Sequence, residues 1–331
     1  MTRHAVVLMN LGGPDSPGSV RPFLYNLFSD PAIIALPAIL RLPLARLIAW
    51  RRSTVAAEIY AHLGGASPLL ANTETQARAL ECVLGTEYRC FIAMRYWHPF
   101  TAEAMRDVRG WGPDKVTCLP LYPQLSTTTT LSSLAAWERE ARLQGLFCPT
   151  QSIRSYPTAT GLIEALTALI GETLAKVSTR ERPLRLLLSA HGLPLKIVEA
   201  GDPYPQEVAA TAEAVVAALG IANLDWSVCY QSRVGPLAWL GPSIDDEVKR
   251  AAADRVALVV APISFVSEHS ETLVELDRDY RRLAESLGVP GYYRVPTVGT
   301  HPRFIAALAE LVRGVPEAPI TVSAPLTVSG P

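Results

Sequence analysis

The sequence is poor in cysteine and carries almost no net charge. Its five cysteines show no C-x-x-C pair and most fall in apolar runs, so we interpret them as buried thiols of a reducing compartment. Lysine and arginine number 30 against 31 aspartate and glutamate residues, and this balance argues against a nucleic-acid partner. The apolar start at residues 5–9 is too short for a secretory signal. We therefore expect a cytoplasmic protein.

Several motifs of common enzyme chemistry are also absent. The sequence contains no G-x-S-x-G nucleophile elbow, no Walker A motif and no G-x-G-x-x-G loop, since NLGGP at residues 10–14 has the wrong spacing. Nucleotide binding and acyl transfer therefore lack support from motifs.

Apolar, β-branched runs bounded by turn residues are what the sequence does have, in two sets of four. They are residues 5–11, 89–96, 116–121 and 147–153, and then 184–190, 226–230, 256–263 and 292–298. Strands that are apolar on both faces and alternate with helical patterns, such as residues 207–219 and 273–287, are typical of parallel sheets covered by helices. We predict an α/β fold of two similar doubly wound domains, about 1–155 and 156–331. Each has a mostly four-stranded parallel sheet, and the active-site cleft lies between them.

The ends of corresponding strands look alike in the two halves. VVLMNLGGP is similar to LLLSAHGLP, and VTCLPLYPQLSTTTT to ALVVAPISFVSEHSET, so the halves are candidates for distant duplicates. In open sheets of this kind ligands bind beyond the carboxyl ends of the strands. Polar residues at those ends are therefore the candidate functional residues.

Residues 14–75 do not fit the repeat and predict a long helical insertion. Within it, residues 31–52 are strongly apolar, but Pro37, Arg41, Pro43 and Arg46 leave the run well short of the roughly 20 clean residues of a membrane span. Two interpretations stay open. The segment is either an apolar lip that covers a flat ligand or rests on a membrane surface, or an ordinary pair of core helices.

A histidine stands at the end of the fifth predicted strand, in SAHGLP at residues 189–194. The glycine and proline that follow force the chain to turn and expose the imidazole of His191. A lone histidine is more often structural than catalytic, so both alternatives stay open on this motif alone.

Three glutamates follow the seventh predicted strand. With Ser267 as the N-cap of the next helix, helical spacing places Glu268, Glu271 and Glu275 on one face. The core-facing stripe is then Leu273, Leu276, Tyr280, Leu283 and Leu287. Acids in a first turn often only complement the helix dipole, but Glu275 lies too deep for that role. A row of like charges is unfavourable unless protons or cations visit it, so His191 and the acids together predict proton or metal chemistry.

The motifs and their order resemble the ferrochelatase family, whose members insert iron into a porphyrin at the end of haem synthesis. The likeness extends nearly from end to end. It is carried by VVLMNLGGPDSPGSVRPFLYNLFSDPAII, RRSTVAAEIYAHLGGASPL, MRYWHPFTAEAM, LPLYPQLSTTTTLSS, SAHGLP, GDPYPQEV, YQSRVGPLAWLGP and PISFVSEHSETLVELD. The resemblance implies insertion of Fe²⁺ into protoporphyrin IX, with release of two protons.

The resemblance also implies roles for single residues. His191 matches the active-site histidine and Glu271 its partner acid, and both are expected to ligate the incoming iron. Glu268, His269 and Glu275 are expected to form the proton and metal path. The expected porphyrin-binding residues are Leu11 below the ring, Arg52 and Ser67 at the propionates, Arg95 and Tyr96 along the pocket, and Trp239 and Phe265 beside the macrocycle.

Two departures from the family's pattern bear on these expectations. Many members carry aspartate where this chain has Glu268, whose reach is one methylene longer. Some members bind an iron–sulfur cluster through C-terminal cysteines, whereas no cysteine follows Cys229 here. We therefore expect no cluster or other cofactor, with iron and porphyrin as substrates, and we favour a monomer over a dimer.

Three alternatives share most of these features. A coproporphyrin III ferrochelatase or another tetrapyrrole chelatase would use the same residues. A non-enzymatic tetrapyrrole or metal carrier would keep the apolar clamp but would not need both His191 and the carboxylates. Residues 31–52 are the expected point of peripheral membrane contact.

Overall fold

The computed structural model of the protein describes residues 2–177, 183–233, 235 and 237–314, so the predicted domain ends at residues 1 and 331 lie outside the described residues. Eight strands in the described part form two parallel sheets of four. They are β1 (His4–Asn10), β2 (Tyr88–Met94), β3 (Lys115–Pro120), β4 (Thr150–Ser152), β5 (Leu184–His191), β6 (Trp226–Gln231), β7 (Ala257–Pro262) and β8 (Tyr292–Arg294). All eight predicted strands are confirmed.

The two sheets have the same topology. The strand order is β2–β1–β3–β4 in the first sheet and β6–β5–β7–β8 in the second, and all neighbours are parallel. Met9 pairs with Pro120 in the first sheet as Ser189 pairs with Pro262 in the second. The predicted fold class is confirmed, and the shared order and register support the interpretation of the halves as duplicates.

Helices connect the strands and cover both faces of each sheet. They are α1 (Val20–Phe28), α2 (Ala38–Ala61), α3 (Leu69–Leu84), α4 (Thr101–Trp111), α5 (Ser132–Gln144), α6 (Thr160–Leu174), α7 (Leu195–Glu199), α8 (Tyr204–Leu219), α9 (Ile244–Asp254), α10 (Tyr280–Ser286) and α11 (Pro302–Gly314). Two π-helical segments, Thr127–Leu131 and Glu271–Asp279, follow β3 and β7 and lead directly into α5 and α10.

Alternate residues of the strands belong to different apolar clusters. In β1, Val7 and Met9 pack with α4 and α5, while Val6 and Leu8 belong to a second cluster. That second cluster also contains residues of α3, α6, α8, α11 and β5, so one core runs through both halves. The predicted division into domains near residue 155 stays a prediction.

Two predicted strands are shorter than expected. The strand predicted at 147–153 begins at Thr150, and Phe147 is 96% exposed. The strand predicted at 292–298 ends at Arg294. Pro149 and Pro296 lie at these limits, and proline has no backbone N–H for the sheet ladder.

The cysteines are less buried than expected. Cys118 and Cys229 are buried free thiols, but Cys90 and Cys148 are only partly buried and Cys82 is exposed. The interpretation of all five as buried thiols is therefore wrong, because Cys82 lies on a solvent-facing position of α3.

The helical insertion at residues 14–75 exposes an apolar surface. It contains α1, α2 and the first turns of α3, and Pro43 lies inside α2 rather than ending it. Ile39 is 82% exposed and Trp50 58% exposed, so this face does not form part of the core. The exposed apolar residues are Leu36, Ile39, Leu40, Leu42, Leu47, Trp50 and Val55, which we call the lip. No helix in the described ranges is both long and apolar enough to cross a membrane.

Helices α6 and α11 cross closely at Gly161. A Cβ on Gly161 would clash with the carbonyl oxygen of Arg303 and lie 2.9 Å from Cβ of Ala307. Gly161→Ala must move α11 and should lower the free energy of unfolding by about 1–3 kcal/mol. Gly171→Ala in the same helix meets nothing within 4 Å and should raise it by about 1 kcal/mol. Urea denaturation measures both, and equal effects would contradict the crossing.

Candidate active site

The carboxyl ends of β5 and β7 bring a base and an acid together. His191 ends β5, Glu271 begins the π-helical segment after β7, and the two strands are neighbours. Nδ1 of His191 lies 2.8 Å from Oε2 of Glu271. The two side chains are 39% and 25% exposed, so solvent and ligands can reach them. The two groups are thus in direct contact within the second half, and the expected cleft between the halves stays a prediction.

Each member of this pair changes the proton affinity of the other. Desolvation opposes both charged forms, but the Glu271 carboxylate outweighs it and raises the pKa of His191. In return, the charge of His191 and the hydrogen bonds of His191 and His269 hold the pKa of Glu271 below its usual value despite its burial. The site therefore offers a strengthened base next to an ionised carboxylate.

Phe265 and His269 lie beside this pair, as expected. Nδ1 of His269 is 3.0 Å from the carbonyl oxygen of Ser267, so this nitrogen carries the hydrogen and Nε2 faces Oε2 of Glu271 at 3.8 Å. The ring of Phe265 packs on the His269 ring with centroids 4.8 Å apart. An aromatic side chain thus borders the acid.

Glu275 lies next to Glu271 and is held by three donors. Its carboxylate accepts from the backbone N–H of Ser232 at 2.8 Å, from the Ser232 hydroxyl and from Nε2 of Gln231 at 3.2 Å. Burial and the charge of Glu271 nevertheless raise the pKa of Glu275. A carboxyl with a raised pKa next to an ionised one binds a proton more tightly than an ordinary glutamate and can pass it on.

The π-helical turn extends this pair into a line of acids. A π-helix bonds residues five apart, so residues spaced by four stay on one side of its wide turn. Glu271, Glu275 and Asp279 have that spacing, and Asp279 at the outer end is exposed. The sequence analysis did not include Asp279, although a spacing of four also keeps residues on one side of an α-helix.

The expected position of Glu268 is wrong. The helix begins at Glu271, so Glu268 precedes it, and its Oε1 accepts from Nη1 of Arg294 at 2.8 Å and from the backbone N–H of Thr297 at 3.0 Å. Ser267, the expected N-cap, instead donates its hydroxyl to Oε1 of Gln76 at 2.8 Å. Ser267 thus contacts a distant helix rather than capping this one, and Glu268 lies outside the acidic line.

Trp239 packs against the turn that follows His191. The chain segments at Pro194 and Trp239 form an antiparallel bridge. A Cβ on Gly192 would lie 3.0 Å from the carbonyl oxygen of Gln231 and 3.4 Å from Cε3 of Trp239. A side chain at position 192 would therefore require the Gln231 carbonyl to shift by a few tenths of an ångström.

The first half supplies a second group of predicted residues. Leu11, at the end of β1, packs in a cluster with Tyr60 and Tyr96. Tyr60, which sequence reasoning did not single out, is buried. Burial and the charge of Glu271 raise its pKa to about 12, although a hydrogen bond with Ser270 opposes the shift. The α2 tyrosine therefore connects the Leu11 side to the acid of the second half.

Arg52 and Ser67 lie on the same side of the molecule. The guanidinium of Arg52 stands over the Phe28 ring at 5.7 Å, and no carboxylate partner for it occurs among the described residues. Burial lowers its pKa. Ser67 donates its backbone N–H to the carbonyl oxygen of Pro14 at 2.7 Å, while its hydroxyl caps the backbone N–H of Leu69 at 3.3 Å. A half-buried cation without an anion is suited to bind a carboxylate ligand.

Arg95 and Tyr96 belong to a buried network that sequence reasoning missed. Oδ2 of Asp30 accepts from Nη2 of Arg95 at 2.7 Å, from the Tyr96 hydroxyl at 2.8 Å and from the Ser132 hydroxyl. The Asp30 side chain is 3% exposed and immediately precedes the apolar segment. Asp30 therefore holds Arg95 and Tyr96, the two residues predicted to line the pocket, next to the start of the segment that carries the lip.

Two surface depressions lie away from this site. One of about 380 Å³ is lined by residues of β2 and α4, including Phe91 and Trp111, and another of about 780 Å³ adjoins it near Arg3. Both are at the amino ends of strands, where ligands of such sheets do not usually bind. In the described part of the chain, no three His, Cys, Asp or Glu side chains are grouped to hold a metal ion. His191 and Glu271 offer two ligands.

Comparison with known proteins identifies the family. The family model described as Ferrochelatase matches residues 3–315. This chain belongs to the ferrochelatase family. The ferrochelatases of Caulobacter vibrioides and Phenylobacterium zucineum are each 55% identical to it, over 96% and 94% of this chain and 92% and 90% of their own lengths. The ferrochelatase of Pelagibacter ubique is 45% identical over 94% of this chain.

The predicted family and enzyme class are therefore confirmed: this ferrochelatase-family chain is a metal-inserting chelatase of haem biosynthesis. Solved structures support the fold alone. SirB from Bacillus subtilis, determined with Fe³⁺, superposes with a TM-score of 0.54 at 12% identity, covering 95% of both chains. DR2241 from Deinococcus radiodurans superposes with a TM-score of 0.52 at 14% identity, covering 95% of this chain and 55% of its own.

Asp30→Asn tests the buried network that joins Asp30 to Arg95, Tyr96 and Ser132. The variant leaves Arg95 without its anion, so the free energy of unfolding should fall by about 3 kcal/mol at neutral pH. Although burial opposes ionisation, hydrogen bonds from Ser132 and Ala32 and the charge of Arg95 hold the folded-state pKa of Asp30 below its usual 3.8. A lowered pKa stabilises the protein above the unfolded-state value, and this stabilisation is lost as the pH falls through the folded-state value.

The difference in stability between the parent and Asp30→Asn should therefore shrink below about pH 4. Denaturant unfolding at several pH values measures it. Glu74→Gln is the control, because Glu74 forms only an exposed pair with Arg78 and should cost less than about 1 kcal/mol. A difference for Asp30→Asn that stays constant down to pH 3 would exclude an ionised Asp30.

Proposed function

We propose that the protein inserts Fe²⁺ into protoporphyrin IX and that His191 and Glu271 carry the reaction. The 2.8 Å contact between Nδ1 of His191 and Oε2 of Glu271 is the observation that supports this most directly. A free-base porphyrin holds two N–H protons at its centre. A metal can enter only when the ring is bent and those protons leave, so the site must supply both strain and a base.

His191 is the proposed base. Its raised pKa favours acceptance of a pyrrole proton, and Glu271 stabilises the imidazolium that forms. Protons then leave along Glu271, Glu275 and Asp279 toward the surface. Glu268 is not included in this path, because its carboxylate is paired with Arg294.

The same pair binds the incoming iron. Imidazole nitrogen and carboxylate oxygen are good ligands for Fe²⁺, and two protein ligands leave the other positions for water and pyrrole nitrogens. His191 and Glu271 would replace part of the water shell before the porphyrin nitrogens take the metal. The two-donor site suits a metal that passes through rather than one that stays.

An apolar clamp holds the macrocycle. Trp239 and Phe265 flank the His191–Glu271 pair, and Leu11 lies in the apolar cluster of the first half. Contacts remote from the reacting nitrogens can offset the energy of ring distortion. Arg52, which has no carboxylate partner in the described ranges, is proposed to bind a propionate.

The exposed lip favours protoporphyrin IX over coproporphyrin III, because an apolar cover suits the ring with fewer carboxylates. Parallel metallation assays with the two porphyrins compare kcat/KM directly, and a preference for coproporphyrin III would reverse this choice.

The carrier alternative is disfavoured, because a protein that only holds a tetrapyrrole would not need a base such as His191 next to a carboxylate such as Glu271. A cytoplasmic location, a monomeric state and the absence of an iron–sulfur cluster stay predictions.

His191→Ala is the central test. We expect kcat for iron insertion to fall by about 10²–10⁴-fold, because the base is lost, while porphyrin binding persists through the apolar clamp. Glu271→Gln should lower kcat by about 10²-fold at saturating porphyrin. Stopped-flow metallation gives kcat, and quenching of protein fluorescence gives the porphyrin Kd. His62→Ala, at an exposed histidine, is the control, and normal turnover of His191→Ala would refute the proposal.

We further propose that the lip rests on the surface of a membrane. Its apolar side chains project next to Arg41, Arg46 and Arg51, a combination that binds anionic bilayers. Ile39→Glu should reduce flotation with vesicles of anionic phospholipid at least about tenfold, since a buried isoleucine contributes about 1.5–3 kcal/mol. Phe147→Glu replaces an equally exposed apolar residue elsewhere and should have no effect. Equal losses, or none, would exclude docking through the lip.

A further inference from the structure

Helix α3 of the first half binds the loop that leads to Glu271. Gln76, which is 1% exposed, donates from Nε2 to the carbonyl oxygens of Val266 and Gly299, both at 2.9 Å. Its Oε1 accepts from the hydroxyl of Ser267 at 2.8 Å. Both amide hydrogens and the amide oxygen are therefore used on partners from the second half.

A second amide binds the same loop one helical turn earlier. Nδ2 of Asn72 donates to the carbonyl oxygen of Glu268 at 2.8 Å. Residues 266, 267 and 268 are thus held in succession from α3. Phe265 precedes these anchors and His269 and Glu271 follow them, so the anchors set the path of the loop that carries three site residues.

The same turn of α3 also holds the opposite side of the site. Oγ1 of Thr73 accepts from Nδ2 of Asn10 at 3.1 Å, and Oδ1 of Asn10 accepts from the backbone N–H of Leu11 at 2.8 Å. Thr73 is fully buried. One helical turn therefore connects Leu11 on one side to the Glu271 loop on the other.

The partners of Gln76 require an amide. Two carbonyl oxygens need two hydrogens from position 76, and the Ser267 hydroxyl donates to an oxygen there. A carboxylate could not donate, and an aliphatic side chain would leave the carbonyl of Val266 and the Ser267 hydroxyl without this partner.

We propose that Gln76 is a positioning residue for iron insertion, which holds the loop at residues 264–270 so that Glu271 meets His191. This inference rests on the proposed function, because it assumes that Glu271 takes part in the reaction. Gln76 acts through the loop, and its own amide is fully engaged in the contacts above. Misplacement of a reacting group by about 1 Å can cost about 10²-fold in rate.

Gln76→Met preserves the length of the side chain but removes its three hydrogen bonds. We expect kcat to fall by about 10–100-fold, with porphyrin Kd unchanged and faster amide hydrogen exchange at residues 264–270. Gln124→Met is the matched control. Gln124 is also 1% exposed and also bonds across the halves, but to Thr211 and Ile263 rather than to the loop. An equal loss of kcat in both variants, or unchanged kcat in Gln76→Met, would overturn the proposal.

A double-mutant cycle separates positioning from a general loss of structure. Gln76→Met should lose most of its effect on kcat when Glu271→Gln is already present, because the group that it positions is gone. Fully multiplicative effects would overturn the positioning role alone. A normal kcat for Glu271→Gln by itself would instead overturn the proposed function and this inference with it.

Asn72→Ala provides a second variant should Gln76→Met fail to fold. Asn72 is only partly buried and loses a single bond, to Glu268. A fall in kcat relative to the parent, with faster exchange of the loop amides, supports the proposal. Unchanged kcat together with faster exchange of those amides would overturn it, because the loop would then be free to move without consequence.

Discussion

Parallel strands that are neighbours end at the same edge of their sheet, and the site depends on this constraint. Because β5 and β7 adjoin, the side chain that ends one strand and the helix that follows the other meet at 2.8 Å. After β5 the chain turns at Gly192, close to the indole of Trp239. Glu275 and His269, with Phe265 packed on it, lie next to this contact.

The acids of the site are stabilised in different ways, and this difference gives them different chemistry. Glu271 has two histidines beside it and stays ionised, whereas Glu275 has only neutral donors and binds its proton more tightly. Two carboxyls that differ in proton affinity can exchange protons in one direction more readily than two equal ones. The wide turn of the π-helix keeps them adjacent.

Local pattern predicted much of this arrangement, and long-range contacts account for what it missed. The central strands β1, β3, β5 and β7 were predictable because they are buried along nearly their whole length, and His191 because it ends a strand. The position of Glu268 was not, since the segment before the helix makes long-range contacts with Arg294, Thr297 and Gln76, the last of which lies 191 residues from Ser267. Tyr60 and Asp30 were missed for the same reason. A π-helix has no residue pattern that separates it from an α-helix.

The shared apolar core has a consequence for synthesis on the ribosome. Leu80 of α3 and Leu8 of β1 pack in one cluster with Phe304 of α11, which follows all eight strands along the chain. A nascent first half would therefore present an uncovered apolar face until α11 emerges. Chaperones would therefore bind this face of the growing chain for the longest time, until α11 docks stably on it.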